Sequence, residues 1–268
     1  MNGNLFKLEL GRNRKNLIIW SSIVVAFTVL ILAIFPSMKD SMIVFAKMEA
    51  IPDEMFKGLG VNPADFTHIL GFYTTYYGIY IIGLAGVYAG STGANLFSRE
   101  ERDRTAEFLY TKPMTRATVF SSKVAALYTL VVAIFVIQSI AATTGIIAFN
   151  GEEELPWDSY IPMQVHGFVM LLFFAALGMF ISMFSTPKRN FMGMVVGIVF
   201  GSFLINAISQ ATESVEWMGK FTPHHYLPIN YNATDPAVEW GAIAVFIVIS
   251  IALVLGSKYV LLRKDLED

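Results

Sequence analysis

Charge is absent from six long windows of this chain, and that absence dictates its architecture. Residues 16–38, 66–98, 124–151, 159–187, 190–212 and 240–257 contain no Asp, Glu, Lys or Arg. Each window can hold the ~20 apolar residues that cross a bilayer as a helix. Transmembrane strands run about ten residues and alternate in polarity, which these windows do not. The expected fold class is all-α: a polytopic membrane protein of six transmembrane helices. The spans fall at about 17–35, 69–97, 124–149, 161–184, 191–210 and 240–262, in a single transmembrane domain over residues 1–268. Charged residues make up 15% of the chain, against roughly a quarter in soluble domains, and no soluble domain is expected.

The remaining charges set the orientation. With both termini cytoplasmic, 15 of the 19 basic residues face inward; only Lys39, Lys47, Lys57 and Lys220 lie outside. The positive-inside rule selects that arrangement. The first apolar run is too long for a cleaved signal peptide and reads as a retained span. There is no cysteine, so disulfides and thiolate sites are excluded. A bacterial plasma membrane is the expected location.

Residues 1–15 place Leu5, Phe6, Leu8 and Leu10 among Lys7, Glu9, Arg12, Arg14 and Lys15. This pattern predicts a short interfacial helix with its apolar side in the acyl boundary. The first span is expected to close at Pro36. The second window, at 33 residues, would be about 50 Å long as a helix and must tilt or project beyond a core of about 30 Å. Its outer half carries Tyr73, Tyr76, Tyr77 and Tyr80, more hydroxyls than an interfacial belt needs; with Asn206 they are candidate walls of a polar path. Gly86 and Gly90 in its inner half permit close helix packing. Gly193, Gly197 and Gly201 share one face of the fifth span, as an internal seam or a subunit interface. His166, inside the fourth window, reads as a structural hydrogen-bonded side chain. Residues 210–239 form an irregular outer segment. Its adjacent His224 and His225 lack the spacing of a metal site.

The densest run of charge, residues 98–116, lies between the second and third windows. Ser98 with Glu101 three residues on fits a capping box, predicting a short surface helix that Pro113 ends. Thr115 is placed to cap the next helix. The residues Glu101-Arg102, Thr105-x-Glu107-x-Leu109 and Lys112-Pro113-x-x-Arg116 resemble the coupling segment of permease subunits of type-2 ABC transporters. The basic amphipathic start, the six spans and the terminal Arg263-Lys264-Asp265-Leu266 agree with that resemblance. It implies that segment 98–116 docks on a separate ATP-binding subunit through Arg99, Glu100, Glu101, Arg102, Arg104 and Glu107. It also implies a second permease chain, identical or related, and export of a hydrophobic or amphipathic cargo such as an antimicrobial peptide.

The missing chemistry points the same way. No Gly-x-x-x-x-Gly-Lys-Ser/Thr occurs, so ATP and magnesium belong on the partner and no cofactor is expected in this chain. No catalytic constellation, metal motif or nucleic-acid partner is expected. Ion-coupled carriers place Asp, Glu, Lys or Arg in their spans; these windows hold none of the four. An ion-coupled carrier and a non-transporting scaffold or immunity protein are the rival readings.

Overall fold

A computed structural model describes residues 1–46, 68–102, 114–151, 155, 157–184, 191–211, 213–229 and 237–263, with backbone alone at 40–46 and 100–102. Helix α1 spans Gly3–Ala46. The second element, α2, is built from an α-helix Ile69–Tyr76, a π-helical turn Tyr77–Ile82 and an α-helix Gly83–Arg102. Then follow α3 (Arg116–Phe149), α4 (Trp157–Ser182) and α5 (Phe191–Ala211). A 3₁₀ turn Glu213–Val215 leads to the short helices α6 (Glu216–Gly219) and α7 (Pro223–Tyr226). The last helix, α8, spans Trp240–Arg263. Six helices, α1 to α5 and α8, are long and apolar enough to cross a membrane. Helices suit that setting because they satisfy every backbone polar group internally.

The centre of the bundle is the α2–α4 pair. In their most apolar windows 72% and 61% of residues are buried within the chain, against 22–33% for the other four spans. Small residues make this possible. A Cβ added at Gly178 would meet the Gly90 carbonyl, and one at Gly93 would meet the Ala175 carbonyl. The two backbones therefore touch directly. Helix α1 packs along α3, α8 along α4, and α5 along α2.

Three local features differ from the sequence reading. First, residues 1–15 are not a separate helix and Pro36 does not close the first span: α1 runs unbroken through both. One buried stripe explains this. Leu5, Glu9, Asn13, Ser21, Val24, Thr28, Ile31, Leu32 and Phe35 recur at helical spacing and are all buried, while Leu8 is exposed. Leu5 thus faces protein rather than acyl chains. Second, Ser98 caps no helix. It lies inside α2, and its hydroxyl donates back to the Ala94 carbonyl at 2.7 Å. Third, the third span begins at Arg116, so Lys123 sits within α3 rather than before it. Its start agrees with the sequence: Thr115 is the N-cap, its side chain accepting the Thr118 N–H at 3.2 Å.

Candidate functional site

At the end of the bundle where α1 and α3 begin and α8 ends, four helices are bolted together by polar contacts. Lys123 of α3 and Glu9 of α1 are 1% and 2% exposed, with Nζ and Oε1 3.4 Å apart. The same ammonium donates to the Leu96 carbonyl of α2 at 2.5 Å and lies 5.3 Å from the centre of the Phe97 ring. Asn13, one turn beyond Glu9, donates to the Glu9 carbonyl at 2.9 Å and accepts from Arg99 at 3.2 Å. The backbone N–H of Asn2 donates to Ser122 at 2.6 Å, and Arg116 donates to the Leu261 carbonyl of α8 at 3.4 Å. A charge this deep persists only when paired, and Lys123 has a carboxylate and a carbonyl to satisfy it.

Of the six residues expected to touch an ATP-binding subunit, Arg99 is half-buried in this hub. Glu100, Glu101 and Arg102 occupy the last turn of α2, their side chains outside the described residues. Arg104, Glu107 and Pro113 also lie outside the described residues. Sequence reasoning passed over Glu9, Asn13 and Lys123. Their signal was register: Glu9 and Asn13 continue the stripe begun by Leu5, and Lys123 shares a stripe with Leu127, Leu130 and Ile134.

A second polar cluster lies toward the far end of the bundle, where α2 and α4 begin. Gln138 of α3 donates to the Tyr73 hydroxyl at 3.0 Å. Tyr77 donates to Gln164 Oε1 of α4 at 3.3 Å, and Ser139 donates to the same oxygen at 3.1 Å. Thr143 and Tyr160 share a hydrogen bond of 2.9 Å. Tyr73 and Tyr77 are fully buried, so they knit α2, α3 and α4 together. Tyr77 opens the π-helical turn, a feature frequent at functional sites. Gly167 of α4 leaves room for its hydroxyl, which a Cβ there would meet at 2.6 Å. Tyr76 and Tyr80 face the other way: Tyr80 stacks on Phe27 of α1 at 5.6 Å, and Tyr76 packs against Phe72 at 5.1 Å. The four tyrosines therefore divide between two faces. Asn206 joins neither group; its side-chain oxygen accepts from Thr222 at 3.4 Å, anchoring the segment after α5.

At the far end, His166 of α4 clasps that segment. The backbone N–H of Glu239 donates to its Nε2 at 3.0 Å, so Nδ1 carries the proton and donates to the Pro228 carbonyl at 2.6 Å. The structural reading of His166 agrees with these contacts. His224 is buried beside Phe203 and Phe174, with ring centroids 5.6 and 6.4 Å apart. Burial pushes its pKa down to about 4, and its Nδ1 has no hydrogen-bond partner among the described residues.

The glycine sets also separate. A Cβ at Gly86 would meet Phe174 and Val199 at 3.1 Å, and one at Gly90 would meet Val195 at 2.8 Å. A Cβ at Gly193, Gly197 or Gly201 would meet none of the described residues within 4 Å. On α5 these three lie opposite the buried Val195 and Val199, so they make no seam within the described residues of this chain.

The arrangement holds a charged hub at one end and, toward the other, an uncharged hydrogen-bonded cluster beside a clasped irregular segment. It offers helices tied rigidly to one another rather than a set of reacting groups. Residues 3–266 match the family described as ABC-2 family transporter protein. No curated protein and no solved structure matches the chain.

Proposed function

Because the chain belongs to the ABC-2 family of transporter proteins, as a multi-pass membrane permease component that is not itself catalytic, we propose that it forms the path of an ATP-driven exporter. A separate cytoplasmic subunit binds ATP and magnesium, and two permease chains, identical or related, stand on two such subunits. The end where α1 and α3 begin faces the cytoplasm, the orientation that the positive-inside distribution of Lys and Arg favours. The cargo is an amphipathic or antimicrobial peptide or another hydrophobic molecule, in keeping with the six charge-free windows of the sequence. Tyr73, Tyr76, Tyr77, Tyr80 and Asn206 are the proposed polar positions of the path.

The observation that carries this reading is the hub of Glu9, Asn13, Leu96, Arg99 and Lys123. It couples the foot of α2 to α1 and α3. Segment 98–116 links α2 to α3, so a partner gripping Arg99, Glu100, Glu101, Arg102, Arg104 and Glu107 would move three spans as one body. Rigid elements of that kind can carry a displacement from a cytoplasmic contact into a membrane bundle.

The test is co-expression with a candidate ATP-binding subunit from the same source. Capture and ATPase activity are compared between the chain and the triple variant Glu100→Ala, Glu101→Ala, Arg102→Ala. Capture of the subunit by the wild type and its loss in a normally folded variant are expected. Unchanged capture and unchanged ATPase activity in the variant would sink the coupling assignment. Transport driven by an ion gradient with no ATPase bound would favour the carrier reading.

A further inference from the structure

The far end of the molecule holds a groove of about 810 Å³ between the segment carrying α7 and the first turns of α8. That size is within the ~300–1,000 Å³ of ligand sites. Its floor is apolar, made by Phe173, Val245, Phe246 and Ile249, and Lys220 and Glu239 stand at its mouth. Both charged residues are exposed. The rims are fixed from behind by one side chain: His166 holds the Pro228 carbonyl on one side and the Glu239 N–H on the other, and both residues line the groove.

We propose that this groove binds one zwitterionic phospholipid of the leaflet at the far end, with its phosphate on Lys220, its ammonium on Glu239 and an acyl chain along α8. Three observations select this occupant. The mouth offers one positive and one negative side chain, which complements a headgroup carrying both charges. Phe221 lines it, Trp217 packs on Phe221 at 6.1 Å and Trp240 follows Glu239 in the chain; the three are 81%, 59% and 71% exposed, and aromatic residues of this kind settle at headgroup level. Ile249 lies ten residues beyond Glu239, or about 15 Å along the helix, which is half of a core about 30 Å thick and so the depth of one leaflet. The floor also opens sideways, with Val245 55% exposed, so a chain can enter from the bilayer.

The experiment counts phospholipid retained by the full-length chain after detergent delipidation, by native mass spectrometry, with phosphatidylethanolamine and phosphatidylglycerol supplied in equal amounts. One retained lipid per chain is expected, with phosphatidylethanolamine favoured at least fivefold. Glu239→Lys should invert that preference. Lys220→Gln should weaken retention of both lipids, and Val245→Trp, which fills the groove, should abolish it. Val245 and Glu239 are exposed, so both variants should fold; unchanged elution on size exclusion checks this. Equal retention of the two lipids by the wild type and Glu239→Lys would overturn the headgroup assignment. Retention unaffected by Val245→Trp would overturn the groove itself. Uptake of a model Leu/Lys amphipathic helical peptide, blocked by Val245→Trp and with no lipid retained, would make the groove a peptide site instead.

Discussion

Lys123 and Glu9, 114 positions apart in the sequence, meet at 3.4 Å with both side chains buried. Removing one member of such a pair strands the other charge, at a cost of about 3–5 kcal/mol, whereas replacing both with apolar groups is often neutral. Lys123→Met alone and Glu9→Leu alone should each lower the unfolding temperature in detergent. The double variant should recover most of the loss, and double-variant stability equal to the sum of the two losses would show that the pair is not coupled. The nearby Arg12, 3.7 Å from Glu9, makes Lys123→Met the milder of the two.

The backbone contact between α2 and α4 gives a second expectation. Gly178→Ala would push a methyl into the Gly90 carbonyl and Gly93→Ala into that of Ala175. Backbone has no rotamer with which to yield, so overpacking of about 1–3 kcal/mol or more is expected. Gly197→Ala meets open space and should leave monomer stability within about 1 kcal/mol or raise it, since Ala is the better helix former. Thermal unfolding of the three variants in detergent separates these outcomes.

The six spans were legible because hydrocarbon tolerates few unpaired charges, and the uncharged windows are the direct trace of that rule. Thr115 was legible because a cap is a local chemical fact. Ser98 was not, because Ser-x-x-Glu reads alike at a helix start and within a helix that continues. What carries α2 onward is tertiary packing, with Phe97 stacked on Phe120 of α3 at 5.5 Å. The π-helical turn at Tyr77–Ile82 has no sequence signature, because an extra residue in a turn is set by the neighbours it packs against. Pro36 misled for a similar reason: spans accommodate proline where adjoining groups satisfy the freed carbonyl. The tyrosines proposed for the path were read as polar positions, but composition alone gave no way to see that Tyr73 and Tyr77 face α3 and α4 while Tyr80 faces α1.

The tyrosine–glutamine cluster is open to a double-mutant cycle. Tyr73→Phe removes the hydroxyl that Gln138 donates to, and Gln138→Leu removes the donor. Interhelical hydrogen bonds in membrane bundles average roughly 0.6 kcal/mol and reach about 1.7. A coupling within that range is expected from unfolding of the two single variants and the double variant. Zero coupling would mean that the two side chains act independently, and the cluster would then hold α2 to α3 by shape alone.

His224 gives a pH dependence whose sign can be worked out. Its pKa falls from 6.5 to about 4 because burial penalises the charged imidazolium. The unfolded segment therefore binds a proton at a higher pH than the folded one. The stability contributed by the neutral ring is fully present above pH 6.5, declines as pH falls, and is lost once pH has fallen through about 4. The shift corresponds to roughly 3 kcal/mol across that window. Residues 213–229 should therefore loosen between pH 6.5 and 4, seen as faster amide exchange around α7 at the lower pH after correction for the intrinsic rate. His224→Phe keeps a ring beside Phe203 and Phe174 and removes the titration, so its exchange around α7 should be flat with pH after the same correction. A pH response that survives in His224→Phe would assign it to another group.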